Sequence, residues 1–294
     1  MSESITRRKV TIQQLREMKR RSERIVVLGV YDAVTTSIAE QLGVDVLMTG
    51  PSGPMSLFGH TNPTQIGFEE QLVTLQAVTR VARYALTNAH MPYLSYHASE
   101  RDAVLNAGRL ISEGGADTVK CDANRYLANN IRAIASSGIP VIAHIGLQAS
   151  RRIEQSGYGL KGRTAEDGKR IVDDAWALVE AGVFAILVEH AASEVMAHLT
   201  KELPVPTISL GSGPDADGIC IVSGDAINYT VFPRPVHATG FADVRNLISC
   251  GLKEYAARTR DGTYPTSEKA PQMNPEEYIR FQALMSERGL DPNA

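Results

Sequence analysis

Lys120 and Asp122 stand two residues apart at the end of a short apolar run, Thr118-Val-Lys-Cys-Asp122. Side chains of a strand alternate faces, so positions i and i+2 point the same way. A lysine and a carboxylate on one face can steady an anion and pass a proton, or they can form a structural ion pair. A parallel strand covered by helices is ordinarily apolar throughout, so two charges at its exit require a partner or a use. Other apolar runs end beside polar residues as well: Asp32, Ser52, His90, His144, Glu189, Ser212 and Asp225. Asp32 equally suits a cap for a helix starting at Ala33, and His144 equally suits a hydrogen-bonded core position. Glu189 follows Ala-Ile-Leu-Val, where a lone carboxylate is costly unless paired. Taken together, a lysine, a histidine and a carboxylate point to chemistry on an anionic carbonyl compound. Lys120 would hold charge and Glu189 would move a proton.

The elements that must position these residues alternate along the chain. Strand-like runs are read at Ile25–Tyr31, Val44–Thr49, Pro92–Tyr96, Thr118–Cys121, Pro140–Ile145, Phe184–Val188, Thr207–Leu210 and Gly218–Val222. Helix-like stretches lie between them: Ala33–Leu42, Phe68–Ala89, Arg101–Glu113, Tyr126–Ser137, Ala165–Ala181 and Glu194–Leu203. Eight strands alternating with helices are the pattern of a (β/α)8 TIM barrel. Gly43, Gly115, Gly138 and Gly182 fall where helices would stop. An open doubly wound sheet is the competing architecture, but the G-x-G-x-x-G turn is missing after the first strand. Barrel enzymes work at the C-terminal ends of their strands, which is where most of the polar residues fall. His90 is the exception, because it precedes the strand read at Pro92–Tyr96.

Two glycine-rich segments follow strands, Gly50-Pro-Ser-Gly-Pro-Met55 and Gly211-Ser-Gly213. Each reads as an anion-cradling loop or as a plain turn. Residues 155–164 form a longer glycine-rich basic loop, either a mobile lid or an ordinary surface loop. Tyr93, Tyr96 and Phe58 would shape a pocket or simply fill the core.

The 294 residues include 30 basic and 33 acidic side chains, a formal charge of −3 that argues against a polyanion-binding surface. Lys19 to Arg24 is a basic cluster that reads as a solvated helix face. No apolar run reaches membrane-spanning length, and the first residues lack the apolar core of a signal peptide. Three scattered cysteines make neither a disulfide framework nor a zinc module. The expectation is a cytoplasmic protein that meets a small-molecule substrate, with no nucleic acid and no membrane. One barrel domain is expected over 1–264. A helical extension over 265–294, with a helix at Glu276–Glu287, would pack on the barrel or on a neighbouring subunit.

From about Thr11 to Thr263 the chain resembles the ketopantoate hydroxymethyltransferase family, a relative of the phosphoenolpyruvate mutase and isocitrate lyase barrels. The matching pieces are Val30-Tyr31-Asp32, Met55 through Gly59-His60, Val119-Lys120, His144-Ile-Gly-Leu147, Gly157-Tyr158 with Gly162-Arg163, Leu187-Val-Glu189, and Gly211-Ser-Gly213 through Asp217-Gly218. The resemblance implies a (β/α)8 barrel that deprotonates a 2-oxo acid and adds a one-carbon unit from methylenetetrahydrofolate. It also implies a homo-oligomer, commonly a decamer. Carried over by position, Glu189, Lys120 and His144 are the catalytic set. Ser52, Tyr31, His90 and Asp122 are the substrate-binding set, with Ser52 on the substrate carboxylate.

The resemblance breaks at the family's magnesium ligands. The family phrase Gly-Asp-Ser-Leu-Gly-Met is here Gly50-Pro51-Ser52-Gly53-Pro54-Met55, so Pro51 replaces an aspartate. Ala-Asp-Leu-Pro-Phe becomes Ala89-His90-Met91-Pro92-Tyr93, and the glutamate of Val-Lys-Ile-Glu becomes Asp122. Magnesium demands oxygen ligands in octahedral geometry, so Mg²⁺ is disfavoured. His90 and Asp122 remain as two candidate ligands for a softer divalent ion, with no metal at all as the alternative. Three functions follow: a hydroxymethyltransferase-like enzyme working through an enolate, a folate-free lyase, decarboxylase or hydrolase of the same barrel class, or a non-catalytic oligomeric relative.

Overall fold

The computed structural model describes residues 7–286. The chain divides into two compact units, Met1–Asp243 and Val244–Ala294. The first is a closed barrel of eight parallel strands in sequence order. Its elements run α1 (Ile12–Arg20), β1 (Ile25–Gly29), α2 (Ala33–Gln41), β2 (Val46–Thr49), α3 (Ser52–Phe58), α4 (Phe68–Thr79), β3 (Leu86–His90), α5 (Glu100–Ser112) and β4 (Thr118–Asp122). They continue with α6 (Ala128–Ser136), β5 (Val141–Gly146), α7 (Ala165–Glu180), β6 (Ala185–Glu189), α8 (Ser193–Glu202), β7 (Thr207–Leu210), β8 (Gly218–Val222) and the one-turn α9 (Ser223–Ala226). The second unit holds α10 (Val244–Arg260) and α11 (Pro275–Ser286). Glu287, the expected end of the last helix, lies outside the described residues. Among the described residues no helix is long and apolar enough to cross a membrane.

Local chemistry sets the helix starts. Thr11 and Gln14 form a reciprocal capping box on α1. Asp32, Ser99 and Thr164 each accept a backbone N–H from the first turn of α2, α5 and α7. Period-2 alternation then sorts strand residues into two apolar layers. Val119, Cys121, Val141, Ala143, Ile145, Ile186 and Val188 pack outward against the helices. Ile25, Val27, Val46, Met48, Leu86, Ile142, Leu187 and Cys220 fill the barrel interior, where Leu15 and Met18 of α1 join them.

One expected strand is displaced. The segment Pro92–Tyr96 is a turn, and the third strand is Leu86–His90, within the stretch read as the end of a long helix. The helix stops at Thr79 because Glu40 captures the next stretch of backbone. Its carboxylate accepts the N–H groups of Tyr84 (2.8 Å) and Ala85 (2.9 Å). Val46 to Thr49 then pair with Leu86 to Ala89. The displacement puts His90 at the C-terminal end of a strand, beside Lys120 in the ladder.

Candidate active site

Four adjacent strands, β3 to β6, each bring a chemically active side chain to the mouth. Lys120 and Asp122 share the inner face of β4, as their spacing requires, and both are buried. Asp122 pairs with His144 across the β4–β5 ladder, and Gly146 pairs with Glu189 across β5–β6. Barrel closure therefore delivers a continuous cluster. His144 Nδ1 lies 2.8 Å from Asp122 Oδ1, and Lys120 Nζ lies 3.4 Å from the same oxygen. His144 Nε2 lies 3.0 Å from Glu189 Oε2, at ion-pair distance but without hydrogen-bond alignment. His90 Nδ1 is 3.9 Å from Asp122 Oδ1 and has no hydrogen-bond partner.

The protons can be placed from these distances. An imidazole nitrogen at 2.8 Å from a carboxylate must donate, so Nδ1 of His144 carries a hydrogen. Lys120 Nζ approaches that nitrogen to 3.0 Å, but a nitrogen that donates to Asp122 cannot also accept from lysine. Lys120 is thus left with donors to offer a substrate oxygen. Burial and Lys120 both lower the His144 pKa, yet Asp122 and Glu189 outweigh them and leave it raised. The other ring nitrogen, Nε2, faces Glu189. Burial presses the Asp122 carboxyl upward, but Lys120, His144 and His90 outweigh it and hold the group well below the usual carboxylate range. His90 goes the other way: burial and the Lys120 charge push its pKa down to about 3. It is therefore a neutral imidazole at neutral pH.

Two residues hold this cluster that the sequence did not single out. Ser150 Oγ donates to Asp122 Oδ2 at 2.7 Å. Gln148 Nε2 donates to the carbonyls of Ala123 (2.8 Å) and His144 (2.7 Å), tying the exits of β4 and β5 together. Both sit in a loop after β5, where neither periodicity nor charge marks them. Tyr96 is also structural here, because its hydroxyl donates to the Asp122 carbonyl at 2.7 Å. Tyr93 and Phe58 are exposed.

Other expected site residues make local contacts of their own. Ser52 opens α3, partly exposed, with Pro51 as its cap. The glycine-rich segment there is the start of a short helix. Tyr31 donates to the Tyr229 carbonyl at 2.9 Å, and burial with the nearby Asp32 charge raises its pKa to about 12. Asp32 caps α2. Ser212 bridges β6 and the turn after it, donating to the Val188 carbonyl and accepting the Ala191 N–H, each at 2.9 Å. Asp225 belongs to α9. The basic loop at 155–164 is tied back at both ends. Gln155 Nε2 donates to the Gly146 carbonyl at 3.0 Å, and the Lys161 N–H donates to the His190 carbonyl at 3.0 Å.

Gly146 is a tight point of the wall. Its φ is 81°, and a Cβ there would lie 2.4 Å from the Glu189 carbonyl oxygen. Gly146→Ala is expected to push the β6 exit away and to cost about 1–3 kcal/mol of stability. Thermal unfolding would show the loss, and unchanged stability would contradict this reading of the wall.

Among the described residues, no group of three or more His, Cys, Asp and Glu side chains is arranged to hold a metal ion. Both Asp122 oxygens are engaged, Oδ1 by His144 and Oδ2 by Ser150. Pro51 offers no donor.

Fold and site together define a (β/α)8-barrel enzyme whose mouth carries a linked lysine, aspartate, histidine and glutamate. The chain belongs to the ketopantoate hydroxymethyltransferase family, whose model matches residues 9–267. It is 38% identical over 262 residues to the 3-methyl-2-oxobutanoate hydroxymethyltransferase of Moorella thermoacetica, covering 89% of this chain and 97% of that one. It is 39% identical over 282 residues to the enzyme of the same name from Hyperthermus butylicus, covering 96% and 97%. Among solved structures it resembles phosphonopyruvate hydrolase, with a TM-score of 0.59, 14% identity and coverage of 95% and 97%. It also resembles 2,3-dimethylmalate lyase, of the PEP mutase/isocitrate lyase superfamily, with a TM-score of 0.57, 16% identity and coverage of 95% and 96%. These two likenesses show the fold.

Proposed function

We propose that this enzyme enolises a small 2-oxo acid and extends it by one carbon, with Glu189 as base and Lys120 as the fixed cation. The observation that carries the reading is the continuous chain Lys120–Asp122–His144–Glu189, with 3.4, 2.8 and 3.0 Å between successive members. Glu189 takes a proton from the carbon beside the carbonyl, and the freed electron pair moves to the carbonyl oxygen. Lys120 meets the charge that develops there, and the neutral His90 donates a hydrogen bond without burying a second cation. His144 Nε2, 3.0 Å from Glu189 Oε2, orients that carboxyl group toward the substrate. The enolate carbon then receives a one-carbon unit, which methylenetetrahydrofolate would supply when bound. The family relationship also supports a homo-oligomer, a decamer being the size to test by sedimentation.

Magnesium does not fit the donor set. Pro51 has no side-chain ligand atom, His90 is an imidazole, and Asp122 is engaged on both oxygens. Mg²⁺ titration is expected to leave the melting temperature unmoved, whereas the double substitution Pro51→Asp and His90→Asp should introduce a response. A tight magnesium site in the unaltered enzyme would defeat this reading.

A second reading is cleavage of a C–C or C–X bond without folate, through the same enolate. The replaced family donors at positions 51, 90 and 122 favour it. Incubation with 3-methyl-2-oxobutanoate in D2O separates the cases. Exchange of the C–H beside the carbonyl, with folate binding seen by calorimetry, supports transfer. Exchange without folate binding favours cleavage, and no exchange with any 2-oxo acid removes the enolate.

A further inference from the structure

Glu189 is followed by a residue in an uncommon conformation. His190 has φ 43°, a left-handed backbone that non-glycine residues rarely adopt. Two hydrogen bonds fix it there: its N–H donates to the Leu210 carbonyl at 2.9 Å, and its carbonyl accepts the Lys161 N–H at 3.0 Å. Its ring meets that of His237, with centroids 4.8 Å apart and planes inclined at 33°. His237 comes from the segment after α9 and lies hard against Gly211, at the exit of β7. A Cβ on Gly211 would stand 2.3 Å from His237 Cδ2. Three separate segments therefore converge to set two imidazoles at the rim beside Glu189.

The pair is not explained by packing alone. His190 Nδ1 is buried without a hydrogen-bond partner, a state that costs about 1–3 kcal/mol unless water or a ligand group meets it. The His237 ring is half-buried, so solvent reaches part of it. Burial and His190 lower its pKa, while the Glu189 charge opposes them. A largely neutral imidazole both accepts and donates, which is what carrying a proton requires.

We infer that His237, steadied by the His190 ring and the Gly211 turn, carries protons between Glu189 and solvent. The inference rests on the enolisation proposed above. After Glu189 takes the substrate proton, one His237 nitrogen accepts it, directly or through a water, while the other releases a proton to solvent. Ring rotation, or the reverse sequence that returns a solvent proton to Glu189, restores the starting tautomer; the forward step moves one proton to solvent and no electrons. Without the relay, Glu189 returns the same proton to the enolate, so isotope washout slows although bond breaking continues.

The test is the washout of deuterium from C3-deuterated 3-methyl-2-oxobutanoate in ordinary water by the full-length protein. His237→Ala is expected to slow washout at least tenfold, and added imidazole should restore it in proportion to its concentration. His237→Gln, which fills the same space without titrating, should be slow and refractory to imidazole. Wild-type washout rates in both variants, independent of buffer, would overturn the relay. A second readout needs no turnover: NMR titration of the His237 ring in the wild type and in Glu189→Gln. Removal of the Glu189 charge should lower the His237 pKa, and an unchanged value would overturn the coupling even if no oxo acid reacts. A wild type that shows no washout but retains this coupling would instead refute the proposed substrate class.

Discussion

Glu189→Gln is expected to abolish deuterium exchange into a 2-oxo acid while the barrel stays folded. Glutamine matches glutamate in size, so the β5–β6 ladder and the packing around Gly146 are kept. The amide oxygen can take the place of Glu189 Oε2, which lies 3.0 Å from His144 Nε2. It cannot take a proton from carbon. Loss of a positioned general base costs roughly 10²- to 10⁴-fold, which places residual exchange near the background rate. Circular dichroism and the melting temperature should match the wild type. Exchange persisting within a few-fold of wild type would remove Glu189 from the chemistry and leave His144 as the base to examine.

Lys120→Met should have an effect of similar size for a different reason. Methionine replaces the stem but deletes the charge, and removal of one donor from a developing oxyanion costs roughly 10²- to 10³-fold. A second loss accompanies it. Asp122 is buried and held well below the usual carboxylate range in part by Lys120, so its charge becomes less well compensated. Breaking a buried pair from one side costs about 3–5 kcal/mol, visible as an earlier unfolding transition. Lys120→Arg is not expected to rescue, because a planar guanidinium cannot take the place of a compact ammonium 3.0 Å from His144 Nδ1. Near-normal exchange in Lys120→Met would show that some other group carries the enolate charge.

The sequence disclosed the site unevenly, and the reasons are physical. Lys120 and Asp122 were legible as a pair because a strand has period 2. His144 and Glu189 were legible singly, as polar residues ending apolar runs. Their mutual contact was not, because it depends on which strands become neighbours when the barrel closes. The third strand was misplaced because Leu86–His90 contains a threonine and an asparagine and continues a helix-like pattern. Its true start is dictated by Glu40, more than forty residues earlier. Ser150 carries no signal at all, since a loop serine is unremarkable until an aspartate oxygen is found 2.7 Å away. His237 is likewise invisible from sequence, lying far along the chain from His190. The replacements at 51, 90 and 122 became meaningful only against the family pattern.

The five active side chains project from four consecutive strands, and the ladder pairs Asp122 with His144, and His90 with Lys120. Their separations are therefore set by hydrogen-bond register, which changes only in whole-residue steps. Insertions or deletions in the connecting loops leave these distances untouched. A lineage can thus lengthen, shorten or rewrite the loops that greet a new molecule while the reacting centre keeps its dimensions. Drift in such a protein is channelled to the rim, and the centre changes only by direct replacement, residue for residue.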